Sequence, residues 1–352
     1  MKKKLDARKE YILKSIIDEY VDTAEPVSSN SIMCKYPTKV SSATIRNEML
    51  ELENLGFLEK QHTSSGRVPS KLGYKYYIKE LIKDEKLDIR EVKKIKKKLE
   101  VQALTLEEIT KLTISTISEI THYTSIAISP NMLEDIINSV QFIRINNDVI
   151  MVLLITKKGM VKETIIKFDD ILTDEMLADL QKLFNNKLIG KPLSSIGNSI
   201  TDYITDEVKI GIDILKKIIE ELNKLIVEDT VYIEGATKSF ELPELSNTNF
   251  KDEYLKIIQD KSKVEKILKN DKKNNLENDV EDEIIEVIMA GDEDGLENFS
   301  IVKLSPKVED NHLGKIAVLA PKRMDYKKVI LTMEELFKEI NKKAKRRKEN
   351  TK

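Results

Sequence analysis

The sequence predicts an α+β protein of more than one domain, headed by a winged helix-turn-helix. Three observations predict it. The length of 352 residues exceeds the ordinary size of one domain. The first eighty or so residues read in order as helix, short helix, polar-fronted helix and hairpin. Beyond residue 138, three β-rich runs are followed by renewed helical periodicity. The 40% of hydrophobic residues suffices for packed cores, and the 34% that are charged require a heavily ionic surface.

The first helix is predicted over Asp6 to Tyr20, where Ile12, Ile16 and Tyr20, with Leu13 and Ile17 beside them, form one apolar stripe. It should end near Asp22-Thr23, because Glu25-Pro26-Val27-Ser28 follows and the residue before a proline is driven out of helical geometry. Ser28 or Ser29 can cap a short second helix through Ile32 to Lys35, which Tyr36-Pro37 terminates. Ser41 is the expected cap of a third helix, in which Ile45, Met49, Leu52 and Leu55 share one side until Gly56 stops it. With that side inward, Ala43, Asn47, Leu50 and Asn54 turn outward, flanked by Thr44 and Arg46. An outward Thr, Arg and Asn cluster in the first two turns suits the major groove of DNA. There Arg pairs with guanine and Asn with adenine through two hydrogen bonds each.

Phe57 to Gln61 and Arg67 to Pro69 flank the turn Thr63-Ser64-Ser65-Gly66 and read as a hairpin. Placed after a third helix, that hairpin is a wing whose Lys60, His62 and Arg67 would face the sugar-phosphate backbone or the adjacent minor groove. A phosphate contact such as Arg67 should mainly alter the salt dependence of binding. The candidate DNA-contacting residues are therefore Ser42, Thr44, Arg46, Asn47, Lys60, His62 and Arg67.

Residues 80 to 125 alternate charged and apolar positions at helical period, giving a lysine-rich connecting helix and then a helix from Leu106 to Ile120. Val140 to Ile145, Val149 to Ile155 and Val161 to Phe168 are expected strands of an antiparallel meander, separated by Asn146-Asn147 and Lys157-Lys158-Gly159. Helical spacing returns at Met176, Leu180 and Leu183 and again from Ile210 to Leu225. Lys261 to Glu283 is charged enough to be expected as a solvated loop. Asp325 is the expected N-cap of the last helix, and Lys342 to Lys348 a basic, solvated helix end.

Several classes of function find no support. No apolar run reaches the roughly 18 residues that cross a bilayer, so no membrane attachment is expected. The basic start lacks the apolar core of a secretory signal. Cys34, the single cysteine, has no disulfide partner within the chain, which points to the reducing cytoplasm. It is expected as a small buried hydrophobe. His62, His122 and His312 show no metal-ligand spacing, and no nucleophile elbow or phosphate-binding glycine loop occurs. Gly291-Asp-Glu-Asp-Gly295 lacks the ligand pattern of a calcium loop and reads as an acidic turn. Neither enzymatic activity nor a metal or cofactor is expected. The net charge of −2 confines any affinity for nucleic acid to a local surface. Residues 1–80 are mildly basic, with 14 Lys and Arg against 11 Asp and Glu.

Glu25 to Ser28, Val40 to Glu59, His62 to Ser70 and Gly73-Tyr-Lys-Tyr-Tyr77 closely resemble the bacterial heat-inducible transcription repressors, the HrcA family. Val231 to Ala236 and Gly314 to Tyr326 are similar to that family's carboxy-terminal motifs. The resemblance implies that the meander joins Glu283 to Met289, Phe299 to Leu304 and Lys315 to Leu319 in a GAF-like antiparallel α+β domain. It implies also that a mainly helical insertion helps make the dimer. The expected domains are then a winged helix-turn-helix at 1–80, a linker helix at 81–103, a GAF-like domain at 104–173 and 230–340, the insertion at 174–229 and a basic tail at 341–352. Further implied are repression of chaperone genes by a homodimer on an inverted-repeat operator in double-stranded DNA, release on heat stress, and modulation by the GroE chaperonin. The competing reading is a winged-helix regulator whose GAF-like domain binds a small effector.

Overall fold

The computed structural model describes residues 5–36, 40–61, 66–100, 106–128, 133–197, 211–227, 231–269, 278–280, 283–292, 295–308, 311–312 and 314–350. It is an α+β protein whose residues gather into two compact units. One comprises Met1–Val101, Thr113–Ala127 and Ile233–Lys352, the other Gln102–Leu112 and Ile128–Tyr232.

The first unit opens on α1 (Ala7–Thr23), whose free N–H groups at Arg8 and Lys9 are taken by the Asp6 carboxylate at 3.0 and 2.9 Å. Ser28 caps α2 (Ser29–Lys35) and Ser41 caps α3 (Ser42–Asn54) in the same way. Ile12, Leu13, Ile16 and Ile17 of α1, Ile32 of α2 and Ile45, Met49 and Leu52 of α3 are all buried. The predicted stripes are therefore the buried faces. Cys34, however, is exposed. A seven-residue helix has one inward side, and Ile32 alone occupies it.

After Gly56, β1 (Leu58–Lys60) pairs antiparallel with β2 (Arg67–Pro69), setting Lys60 opposite Arg67. Val27 adds a third strand position: its N–H donates to the Arg67 carbonyl and its carbonyl accepts from the Arg67 N–H, both at 2.9 Å. The backbones approach so closely there that a Cβ at Gly66 would lie 2.8 Å from the Pro26 carbonyl oxygen. Ser70 caps α4 (Lys71–Tyr76), which widens into one π-helical turn over Tyr77–Leu81. A Cβ at Gly73 would fall 2.2 Å from the Phe57 carbonyl oxygen, so only glycine lets α4 rest on the root of the hairpin.

Next come α5 (Ile89–Leu99), α6 (Leu106–Thr121), β3 (Thr124–Ile128), β4 (Ile137–Arg144), β5 (Val149–Thr156), β6 (Val161–Lys167), α7 (Asp174–Leu188) and α8 (Ile212–Val227). They are followed by β7 (Val231–Glu234), α9 (Ala236–Ser239), α10 (Thr248–Gln259), α11 (Lys261–Lys269), β8 (Asn278–Val280), β9 (Glu283–Ile288) and β10 (Phe299–Leu304). The chain closes with β11 (Lys307–Val308), β12 (Asn311–His312), β13 (Lys315–Pro321) and α12 (Tyr326–Asn350). A six-stranded sheet runs in the order β7-β3-β13-β10-β9-β8. Every residue of β10 is buried, and α12 contributes Val329, Ile330, Met333, Leu336 and Phe337 to the buried set. Within this sheet Lys303 stands opposite Glu286, their charges 2.6 Å apart and their side chains 4% and 12% exposed. Asp325 caps α12 as expected, its carboxylate accepting from the Lys328 N–H at 2.9 Å.

In the second unit β4, β5 and β6 form a separate antiparallel sheet in that order. Its inner face, with Ile150, Val152 and Leu154, shares one core with Leu180, Phe184 and Leu188 of α7 and Leu215, Ile218 and Leu222 of α8. This corrects the expectation that the meander would join the strands of residues 283–319 and that residues 174–229 would stand apart as the insertion. Alternation shows that a strand has one buried face without showing what covers it; α7 and α8 cover this one. A second correction concerns residues 261–283. Residues 261–269 form α11, because Val264, Ile267 and Leu268 make a buried stripe among the lysines. Residues 270–277 lie outside the described residues.

Candidate nucleic-acid interface

The outward side of α3 carries Ala43, Arg46, Asn47, Leu50 and Asn54, all exposed, while Ile45, Met49 and Leu52 behind them are 0–3% exposed. Among the described residues the Arg46 and Asn47 side chains have no partner in the protein, so their donors and acceptors are open to a ligand. Thr44 is half-buried, its Oγ1 3.1 Å from the capping hydroxyl of Ser41. Ser42 sits elsewhere. Its hydroxyl donates to the Asn30 side-chain oxygen at 2.6 Å and lies 3.0 Å from the Ser29 hydroxyl, which makes it part of the joint between α2 and α3.

Lys60 is exposed at the end of β1. His62, with Thr63, Ser64 and Ser65, falls outside the described residues. Arg67 corrects the expectation of a free phosphate contact: its side chain is 14% exposed and Nε donates to the Glu53 carboxylate at 2.6 Å. Glu53 could not be matched to Arg67 from the sequence, because their contact exists only once the hairpin folds back on α3.

That pair belongs to a wider arrangement. α3 carries Glu48, Glu51 and Glu53, which would repel phosphate if left bare. Lys9 on α1 places its ammonium 3.0 Å from both Glu48 and Glu51, and Arg8 lies 3.5 Å from Glu48. Hydrogen bonds to Asp6, Glu51 and Glu48 raise the Lys9 pKa, so it stays charged. Lys9 and Arg67 thus neutralise the acids beside the exposed Arg46 and Asn47, a role that sequence periodicity does not reveal. Arg67→Ala is expected to lower unfolding free energy by about 1–2 kcal/mol and to weaken DNA binding by leaving Glu53 bare beside α3. Chemical denaturation and a DNA-binding titration check the two halves of that expectation.

The motif Gly73 to Tyr77 ties these helices down. The Tyr76 hydroxyl donates to Glu10 at 2.6 Å and accepts from the Leu5 N–H at 3.2 Å, and burial with the nearby Glu10 pushes its pKa up to about 12. Tyr77 donates to Asp18 at 2.6 Å. Tyr74 packs on Tyr326, ring centroids 5.1 Å apart. Beside it Arg323 donates to both oxygens of Glu244 and to the Val21 carbonyl at the end of α1, and Lys327 lies 3.8 Å from Asp18. The start of α12 is therefore bonded directly to α1.

Residues 107–330 match the family model described as the HrcA protein C terminal domain. Over 344 residues, 96% of this chain and 97% of the relative, the sequence is 33% identical to the heat-inducible transcription repressor HrcA of Ruminiclostridium cellulolyticum. The chain belongs to the HrcA family. The HrcA repressor of Clostridium tetani is 34% identical over 346 residues, covering 96% of this chain and 95% of that one. A hypothetical protein solved at 2.2 Å superposes with a TM-score of 0.66 at 21% identity, over 96% of this chain and 98% of that one, a likeness of fold. The HrcA relationship thus extends through the three helices and hairpin as well as the sheet. Among the described residues no helix is long and apolar enough to cross a membrane, and no cluster of three or more His, Cys, Asp or Glu could hold a metal.

Proposed function

We propose that this HrcA-family chain represses heat-shock chaperone genes as a homodimer bound to an inverted-repeat operator. α1 to α3 and the hairpin act as a winged helix-turn-helix, and the six-stranded part as a GAF-like body. α3 enters the major groove, Arg46 and Asn47 reading base edges and Thr44 lying beside them, while Lys60 and His62 approach the backbone from the wing. The observation that carries this reading is the exposure of Arg46 and Asn47 on a helix whose opposite side is fully buried.

Dimerisation has support in the second unit. On the outer face of its sheet Ile143, Met151 and Ile165 lie side by side across three strands, Ile143 and Ile165 being 41% and 65% exposed. Covering such a row removes apolar surface from water at about 25 cal/mol per Å². Two joined heads make the second half-site engagement intramolecular, which multiplies the affinity of a weak single head. Heat releases the operator because unfolding carries roughly 0.7 kcal/mol of enthalpy per residue, so a marginally stable repressor loses its folded population over a few degrees. GroE chaperonin modulates the fraction that is folded.

A gel shift against an inverted repeat with scrambled competitor, combined with light scattering, tests the reading. Specific retention of a dimer is expected, with Ile165→Glu weakening both dimerisation and operator binding. Operator release that ignores both heating and added chaperonin would argue against the regulatory part.

A further inference from the structure

Two basic features are not used by α3 or the hairpin: the lysine-rich α5 and the end of α12. α5 buries Ile95 and Leu99 at 0% and 6% exposure and turns Arg90, Lys93, Lys94 and Lys97 to the opposite side, where all four are exposed. Most nearby acids are engaged: Asp88 by Arg90 at 3.2 Å, Glu91 by Lys328 at 3.0 Å, Glu119 by Lys98 at 2.7 Å, and Glu339 by Lys96 and Lys342 at 3.7 and 3.9 Å. Glu100 is exposed at the helix end. Lys93, Lys94 and Lys97 have no ion-pair partner among the described residues.

The contacts of α5 with α12 fix their relative direction. Glu91 meets Lys328, Lys96 meets Glu339, and Lys343 donates to the Leu99 carbonyl, so the two helices run parallel and Lys343 lies at the carboxy-terminal end of α5. In sequence, six of the seven residues from Lys342 to Lys348 are Lys or Arg. The negative end of the α5 dipole accounts for Lys96 to Lys98 and for Lys343. It does not account for Arg90, Lys93 and Lys94, which precede the last turn. Like charges three and four residues apart repel, a standing cost that a polyanion removes. The chain as a whole carries −2, so this concentration is local.

We propose that the outward side of α5 binds the phosphate backbone of duplex DNA flanking the operator. It is a second, sequence-independent contact, and it rests on the DNA-binding reading of α3. Arg90 to Lys97 spans about 10 Å along the helix, enough to follow successive phosphates, and each neutralised phosphate releases counterions.

The test uses anisotropy titrations of the full-length protein at several salt concentrations on two duplexes. One ends at the operator edges; the other extends by two helical turns, about 20 base pairs, of scrambled sequence on each side. The wild type is expected to bind the long duplex more tightly and with the steeper salt slope. The triple variant Lys93→Gln, Lys94→Gln, Lys97→Gln, with an unchanged melting temperature, should lose that difference. Its slope on the long duplex should fall by about 2 to 3, with the short duplex unaffected. Equal wild-type slopes on both duplexes, or a variant indistinguishable from wild type, would overturn the proposal. So would competition by polyglutamate without any flank dependence, which would assign the surface to an acidic protein. If length dependence and the variant's effect persisted while the operator bound no better than scrambled DNA, the reading of α3 would fall and the flank contact would stand.

Discussion

Lys303→Met should be among the most destabilising single changes in this protein, with an expected loss of about 3–5 kcal/mol in unfolding free energy at neutral pH. The ammonium of Lys303 lies 2.6 Å from the Glu286 carboxylate, the two side chains are 4% and 12% exposed, and every residue of β10 is buried. Removing it takes from a largely buried carboxylate a cation 2.6 Å away. Lys303→Met combined with Glu286→Met should regain most of the lost stability, because a well-packed apolar pair can replace a buried ion pair at little cost. Urea unfolding of the two single variants and the double variant at neutral pH checks the cycle. A Lys303→Met variant as stable as wild type would show that the pair is not desolvated as described.

The second large effect concerns DNA. Arg46→Ala and Asn47→Ala are each expected to remove about 1–3 kcal/mol of discrimination between operator and scrambled duplex, with the melting temperature unchanged because both side chains are exposed and without partners among the described residues. Non-specific binding should change little for Asn47→Ala and weaken slightly for Arg46→Ala, which also loses a charge. Anisotropy titrations with both duplexes at fixed salt separate the two effects. Intact affinity and selectivity in both variants would refute the placement of α3 in the groove.

The amino-terminal elements were legible because their signals are local. Asp6, Ser28 and Ser41 cap the helices they precede, and Ile45, Met49 and Leu52 define a buried side by spacing alone. What failed was long-range. Arg67 and Lys60 look equivalent as cations on a hairpin, yet Glu53 claims one and leaves the other exposed. Ser42 looks like a solvent-facing hydroxyl until α2 brings Asn30 to it. The meander's strands were read correctly, but alternation holds no record of the covering layer, so their sheet was assigned to the wrong partner strands. In α11, lysines at four of nine positions concealed a three-residue apolar stripe.

Arg323 holds a loop of the body through Glu244 and the last turn of α1 through the Val21 carbonyl with the same planar group. A guanidinium cannot shed its charge to loosen that grip; it lets go only when one of its supports moves. Warming that softens the carboxy-terminal sheet would therefore disturb α1, the helix on which α3 packs, through a rigid strut.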